Sequence, residues 1–298
     1  MLSILIPTYN YNVYPLVLEL KKQADSLSIA YEILVQDDAS TIYANENRAI
    51  NQLTNCSYQQ NHENLGRGNN INSLNFRAKF DYVLIMEADA FPEKETYLQD
   101  LITSIHSETQ VVFGGVTYLE QQPEKDNILR WKYGKKRESI PLLERLKKPY
   151  HFVFTWNLLA KKEILSNYLF PNNVKDYGYE DVVFVKQLKE NKISIQHIEN
   201  RLIHLNSESS ATFIGKTEKA VTTLHQLINS NTLDINDTKI GQAYQAIQSL
   251  YLSSLITFLF KIFKKRMIAN LIGSNPNLMV LDFYKLGYFC FLNQKKHV

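Results

Sequence analysis

Short apolar runs alternate with helical patterns through the first part of the chain. LSILIP (2–7), YEILVQ (31–36) and DYVLIM (81–86) have the length of strands, and stretches with a helical period separate them. Continuous apolar runs of this length are typical of parallel strands that are buried on both faces of a sheet. The alternation therefore predicts an α/β fold with a mostly parallel central sheet flanked by helices.

The same patterns give limits for the remaining elements. We predict helices over residues 15–28, 43–53, 66–77 (after a short loop), 96–106, from 161 onward and 181–190, and strands over 56–60, 110–118, 152–160 and 193–205. Residues 121–150 are polar, basic and marked by prolines, so we expect a long, mobile excursion. From residue 207 onward the pattern is helical. We therefore expect an α/β domain over residues 1–206 and a helical C-terminal extension over 207–298.

Composition limits the classes of function. The 298 residues are 45% hydrophobic, enough for a large core, and the net charge of +3 gives no reason to expect a nucleic-acid partner. Cys56 and Cys290 lack metal-ligand spacing, and the N-terminus lacks the basic region of a signal peptide. We therefore expect a cytoplasmic protein. Lys261 interrupts the segment that comes nearest to a membrane-spanning length.

Carboxylates follow the predicted strands. Asp37 and Asp38 come directly after the second strand, and Glu87 and Asp89 after the strand that ends at residue 86. Ligands bind at the carboxyl ends of strands in open α/β sheets, so we expect these acids to meet the loop 7–10 on one rim. Glu87 and Asp89 would share one side of an extended chain, where their oxygens suit Mg²⁺ or Mn²⁺. Alternatively, they are solvated acids at a strand end.

A second acid pair and a histidine are further candidates. Glu180 and Asp181 precede an apolar helical pattern, so they are either helix caps or a carboxylate placed to take a proton from a hydroxyl. His204 ends the run RLIHL and is either a core histidine or, if the fold brings it near Asp89, a metal ligand. Trp156 offers a flat apolar surface for a ring of a bound acceptor molecule, unless it belongs to the core.

Five segments together resemble the nucleotide-sugar glycosyltransferases of family 2 with the GT-A fold, over residues 1–205. They are SILIPTYN, VQDDAS, ENLGRGNN, LIMEADAFP and YGYEDVVF. The resemblance, to bacterial polysaccharide and surface-glycan enzymes, implies a hexosyltransferase that uses a nucleoside-diphosphate sugar, with a UDP-sugar as the expected donor. The acceptor would be a hydroxyl of a glycan or lipid-linked molecule. Transfer would invert the anomeric carbon and use Mn²⁺ or Mg²⁺.

The resemblance also assigns donor-binding residues. The family's nucleotide-contacting positions match Pro7, Thr8, Tyr9, Asp37, Asp38, Asn64 and Arg67. The guanidinium of Arg67 has the planar donors that suit a pyrophosphate. Glu87-Ala88-Asp89 stands in place of the family's Asp-x-Asp motif and completes the predicted donor site. Because a Glu replaces the first Asp, Asp89 is the predicted metal ligand.

The resemblance further assigns catalysis to YGYED. By match, Asp181 is the general base, Glu180 contacts acceptor or donor hydroxyls, and His204 is a second metal ligand. Tyr179 stands where the family has Gly.

Two alternative functions compete with this one. The departures at Glu87 and Tyr179 suggest a nucleotide-sugar binding protein without catalysis. A sugar nucleotidyltransferase would need a glycine-rich phosphate cradle, which PTYNYN lacks.

Two segments have open roles of their own. Residues 249–266 combine an apolar face with a basic end, so they would either lie in the inner face of a membrane or pack on the catalytic domain. Residues 121–150 would close over the donor as a lid that excludes water.

Overall fold

A computed structural model describes residues 1–170, 178–205 and 208–294. The strands are β1 (Leu2–Thr8), β2 (Tyr31–Asp37), β3 (Cys56–Gln60), β4 (Tyr82–Met86), β5 (Ala90–Pro92), β6 (Val111–Phe113), β7 (Val116–Tyr118), β8 (Asn157–Lys161), β9 (Ile195–His197) and β10 (Leu202–His204). The helices are α1 (Tyr14–Asp25), α2 (Ala44–Arg48), α3 (Arg67–Arg77), α4 (Tyr97–Thr103), α5 (Ile128–Arg137), α6 (Leu142–Lys147), α7 (Lys162–Asn167), α8 (Glu180–Glu190), α9 (Ser210–Asn229), α10 (Lys239–Ser249), α11 (Ser253–Leu271) and α12 (Leu278–Gln294).

The main sheet has seven strands in the order β3-β2-β1-β4-β8-β6-β9. β1 pairs in parallel with β2 and β4, and β3 extends the parallel part on the other side of β2. β8 is antiparallel to both β4 and β6. Every residue of β1 and β2 is buried, which means that both faces of these strands are covered. The predicted α/β class with a mostly parallel sheet is confirmed.

A second, three-stranded sheet has the order β5-β10-β7. The predicted single strand over 110–118 is therefore wrong, because β6 and β7 belong to different sheets. Gly114 and Gly115 separate them: Gly115 has φ of +88°, and a Cβ on Gly114 would lie 2.2 Å from the carbonyl oxygen of Asn200. The two glycines let the chain turn where any side chain would collide or be strained. The predicted strand over 152–160 is likewise shorter, since β8 begins at residue 157.

The excursion over residues 121–150 contains helices rather than an irregular loop. Besides a short 3₁₀ turn, it forms α5 and α6. Arg145 on α6 is buried and donates to the carbonyl oxygen of Ile198 at 2.9 Å, while Glu199 lies 3.4 Å from the same guanidinium. Burial lowers the pKa of Arg145 from its ordinary value. A buried guanidinium held by carbonyls anchors α6, so this part of the predicted mobile excursion is fixed.

The chain divides into two compact units. The first comprises residues 1–119, 137–175 and 184–205, and the second comprises 120–136, 176–183 and 206–298. The predicted domain boundary at residue 206 stays a prediction. The second unit also contains two segments that precede that residue.

The second unit is built mainly from α9 to α12. Its core includes Phe213, Phe260, Leu281 and Tyr284. Gly287 on α12 allows a close approach to α11, because a Cβ there would lie 2.7 Å from the Cβ of Phe260. Among the described residues no helix on its own has the length and apolar character to cross a membrane. The pair α10 and α11, bent by 118°, meets that criterion jointly on length and composition.

We expect Gly287→Ala to lower the free energy of unfolding by about 1–3 kcal/mol, because the added methyl overpacks the contact with Phe260. The measurement is denaturant unfolding of the whole chain. Gly215→Ala is the matched control, since a Cβ at this position in α9 meets nothing within 4 Å. That control should raise stability by about 0.5–1 kcal/mol through helix propensity. Equal losses in both variants would contradict the packing argument.

Candidate functional site

The loops that follow β1 and β2 meet at the carboxyl edge of the main sheet. The backbone N–H of Asp38 donates to the carbonyl of Thr8 at 2.9 Å. Asn10 joins the same loops twice, donating its backbone N–H to the Ser40 hydroxyl at 2.7 Å and accepting from the Thr41 N–H at 2.8 Å. The predicted convergence of these loops at one edge is therefore observed.

Asp37 is fully buried and already bonded on both carboxylate oxygens. It accepts from the hydroxyl of Tyr58 at 2.6 Å and from the backbone N–H of Ser40 at 2.7 Å. Burial, and then the bond to this carboxylate, raise the pKa of Tyr58. Asp37 thus holds residues of the sheet edge together through buried hydrogen bonds. Its predicted contact with a donor stays a prediction.

Asp38 holds the loop that leads to α3. One carboxylate oxygen accepts from Asn61 at 2.9 Å and from the N–H of Leu65 at 2.8 Å, and the other accepts from the N–H of Gly66 at 2.9 Å. A carboxylate that accepts several N–H groups fixes the backbone that supplies them. Asp38 therefore sets the position of exposed Asn64 and of Arg67, the predicted donor-binding residues on either side of that turn.

The end of β1 presents two buried residues and one exposed residue. Pro7 and Thr8 are buried, whereas Tyr9 is exposed at the rim. The hydroxyl of Thr8 is buried and has no hydrogen-bond partner within the described residues. Because a buried hydroxyl without a partner is costly, this atom marks a place where a ligand or water would be accepted.

Arg67 begins α3 and is ion-paired with Glu87. Its Nε lies 2.6 Å from Glu87 Oε1, and its Nη1 donates to the hydroxyl of Thr155 at 3.0 Å. Thr155 lies far away in the sequence, and no local pattern indicated it. Glu87 thus forms an ion pair with an arginine.

The expectation that Glu87 and Asp89 share one side of an extended strand is wrong. β4 ends at Met86, and the next residues form a turn in which the N–H of Ala90 donates to the carbonyl of Glu87 at 3.3 Å. Strand alternation does not apply within a turn. Buried Ala88 lies between two carboxylates that contact different partners.

Asp89 lies beside His204. Its Oδ2 is 3.4 Å from Nε2 of His204. The register of the small sheet explains this contact: β5 runs antiparallel to β10, with Ala90 opposite His204, and the N–H of Leu205 donates to the carbonyl of Asp89 at 2.9 Å. The structure therefore brings together the two residues that were predicted as metal ligands.

Two aromatic rings fix the imidazole of His204. Tyr118 on β7 stacks on it with ring centroids 5.3 Å apart, and Trp156 meets it edge to face at 5.6 Å. Trp156 is only 6% exposed, so its visible role is to pack against His204, and acceptor binding by this ring stays a prediction. Tyr118 was not predicted, because its pairing with β10 depends on tertiary register.

Tyr11 is a further aromatic residue near this acid. Burial, followed by the negative charge of Asp89, raises the pKa of Tyr11. The Tyr11 hydroxyl therefore stays protonated at neutral pH and can donate a hydrogen bond at this rim. The signal was present in PTYNYN, where only Tyr9 was singled out.

Glu180 and Asp181 begin α8 and belong to the second unit. The N–H of Gly178 donates to the carboxylate of Glu180 at 3.0 Å, so Glu180 stabilises its own turn. Gly178 has φ of +113°, and a Cβ there would lie 2.6 Å from the Cβ of Ala220 on α9. Tyr179 has φ of +68°, a conformation that favours glycine, which accounts for the family's Gly at this position.

The donor atoms around Asp89 fit a hard divalent cation. Within residues 1–170, 178–205 and 208–294, no three His, Cys, Asp or Glu side chains converge on one point. Mn²⁺ and Mg²⁺ commonly use one or two protein side chains and take further ligands from water and substrate phosphates. One carboxylate and one imidazole at 3.4 Å are compatible with such a site.

The fold and this edge define a class, the GT-A-fold glycosyltransferases that use nucleotide sugars. The family model of Glycosyl transferase family 2 matches residues 3–169, more than half of the chain. The chain therefore belongs to glycosyl transferase family 2, as the five sequence segments predicted. No curated protein matched the sequence.

Solved structures match the chain at low sequence identity. A mannosyltransferase from Pyrobaculum calidifontis, in complex with GDP-Man and Mn²⁺, is 13% identical with a TM-score of 0.55, over 99% of this chain and 86% of that one. A glucosyl-3-phosphoglycerate synthase from Mycobacterium tuberculosis, in complex with Mn²⁺, UDP and glucosyl-3-phosphoglycerate, is 15% identical with a TM-score of 0.52, over 77% and 79%. S. aureus TarS is 20% identical with a TM-score of 0.49, over 76% of this chain and 40% of that one.

We expect Asp38→Asn to lower the free energy of unfolding by about 1–3 kcal/mol, because an amide cannot accept from all three N–H groups that the carboxylate holds. Denaturant unfolding measures the loss. Glu63→Gln, an exposed acid in the same loop, should change stability by less than about 0.5 kcal/mol. An Asp38→Asn protein as stable as the control would show that this carboxylate does not hold the loop.

Proposed function

We propose that this family 2 chain is an inverting hexosyltransferase that moves a sugar from a nucleoside diphosphate to a hydroxyl of a glycan or lipid-linked acceptor. The observation that carries the proposal is the contact between Asp89 and His204 at the edge where β4 ends. The structures from P. calidifontis and M. tuberculosis contain Mn²⁺ together with GDP-Man or UDP, which supports a nucleotide-sugar donor and a divalent cation.

The donor would lie along the edge from β1 to β4. The buried Thr8 hydroxyl offers a hydrogen bond, exposed Tyr9 offers a ring face, and the loop held by Asp38 presents Asn64. Glu87 orients Arg67 through their ion pair, so the guanidinium is preorganised before any phosphate arrives. A UDP-sugar is the donor that we propose.

A cation between Asp89 and His204 would neutralise the charge that accumulates on the diphosphate as it leaves. Asp89 and His204 would hold it, with the imidazole kept in place by Tyr118 and Trp156. Glu87 would not be a ligand, because its carboxylate is paired with Arg67.

Asp181 would act as the general base. Of the two acids at the start of α8, Glu180 bonds the N–H of Gly178, which makes it part of the turn. Asp181 would take the proton of the acceptor hydroxyl. At the same time the hydroxyl oxygen would bond to the anomeric carbon, and the bond from that carbon to the diphosphate would break. One such displacement inverts the configuration at that carbon.

Asp181→Asn should lower kcat for sugar transfer about 10²–10⁴-fold, because a positioned base contributes that much, and should leave the donor Kd unchanged. Transfer to acceptor is followed by product chromatography, and donor binding by calorimetry. Glu190→Gln, an exposed acid at the other end of α8, should keep full activity. Turnover of the Asp181→Asn enzyme at the control's rate would rule out this base.

Mn²⁺ affinity in the presence of UDP should distinguish the role of Asp89 from that of Glu87. Asp89→Asn should abolish UDP-dependent uptake of Mn²⁺, and His204→Ala should weaken it, because both side chains would hold the cation. Glu87→Gln is the matched comparison and should retain the affinity, since Glu87 pairs with Arg67. The proposal fails if calorimetry shows the opposite order for Asp89→Asn and Glu87→Gln.

A further inference from the structure

Helix α11 has apolar side chains on two opposite faces. One face packs into the second unit, and its buried residues are Thr257, Phe260, Met267 and Leu271. Leu255, Phe258 and Ile262, spaced by three and four residues, lie on the opposite face and are 49%, 58% and 54% exposed. An ordinary surface helix has polar residues on its outer face. Packing within the unit therefore does not explain these three side chains.

The apolar surface continues beyond the helix. Leu250 and Tyr251, at the bend that precedes α11, are exposed as well. We call the surface formed by Leu250, Tyr251, Leu255, Phe258 and Ile262 the α11 outer face. Beside it, α11 and α12 enclose an apolar groove of about 450 Å³, lined by side chains that include Phe263, Arg266, Met279 and Phe283.

The charge on α11 has one sign. The helix contains Lys261, Lys264, Lys265 and Arg266 and no acidic residue. Lys264 is neutralised by Glu218 at 2.7 Å. At 100° per residue, Lys265 and Arg266 fall on the two sides of the α11 outer face, one turn beyond Ile262, and both are exposed.

We propose that the α11 outer face binds the surface of an anionic lipid bilayer. The apolar side chains would enter the boundary between headgroups and acyl chains, while Lys265 and Arg266 would pair with lipid phosphates. Charge complementarity favours a bilayer as the binding partner, since a cationic helix without acids matches an anionic surface. This inference goes beyond the proposed function and does not depend on catalysis.

Two other occupants fit less well. A second copy that docked through the same helix would bring two cationic helices together with no acid on either α11 to compensate them. A spanning arrangement of the bent pair α10 and α11 would place Lys261 and the cations that follow it in hydrocarbon, which is costly. Binding parallel to the surface keeps these cations at the level of the headgroups.

The test is flotation of the full-length chain with vesicles of phosphatidylcholine alone or mixed equally with phosphatidylglycerol. We expect binding to the mixed vesicles that decreases with added salt. The variant Lys265→Gln with Arg266→Gln should bind roughly 25-fold more weakly, because each basic residue at an anionic surface contributes roughly fivefold. The variant Phe258→Ser with Ile262→Ser should bind about tenfold more weakly or worse through lost apolar burial.

Matched controls separate this surface from general effects. Phe76→Ser removes an 87% exposed phenylalanine of the first unit, and Lys189→Gln with Lys239→Gln removes two exposed cations from other helices. Both controls should bind like the unaltered chain, and thermal unfolding should show that every variant is folded.

Three results would overturn the proposal. The first is no binding, or equal binding of all variants. The second is an apolar variant that converts a dimer into a monomer in sedimentation, which would make a second copy the occupant. The third is resistance of the bound chain to alkaline carbonate, which would indicate insertion across the bilayer. Because the readout is binding, a failed transferase assay leaves this test unaffected.

Discussion

The pairing of β10 with β5 and β7 is the constraint on which the candidate metal site depends. The three strands contribute three residues each, yet they bring Asp89, Tyr118 and His204 together from distant parts of the sequence. A strand shifted by one residue presents its side chains on the opposite face of the sheet. With so few ladder bonds, the glycines between β6 and β7 and the bond from Leu205 to Asp89 contribute to the register.

The edge that we propose for the donor is held by acids that already have hydrogen-bond or ion-pair partners. The carboxylates of Asp37 and Asp38 accept hydrogen bonds from neighbouring loops, and the carboxylate of Glu87 forms an ion pair with Arg67. Glu87, which stands where the family has its first Asp, is the residue that forms this ion pair. A preformed edge of this kind would lower the entropy lost on binding of the proposed donor.

The part of the fold that local patterns determine was predictable. β1, β2 and β4 were found within one or two residues because buried parallel strands are continuous apolar runs, and the acids that follow them were expected at one edge. The break at Gly114 and Gly115 was missed, because two glycines inside an apolar run still look like a strand. Buried Arg145 and the stacking of Tyr118 on His204 depend on partners far away in the sequence, and no window of residues contains that information.

The C-terminal helices are more than an appendage, because the turn that carries Glu180 and Asp181 belongs to the same compact unit. Gly178 approaches Ala220 on α9 so closely that the turn has no room for a side chain there. Removing α9 would take away the surface against which this turn packs. Point substitutions on the exposed face of α11 leave α9 untouched. If that face binds a bilayer, one compact unit both binds the membrane and supports the turn that contains Asp181.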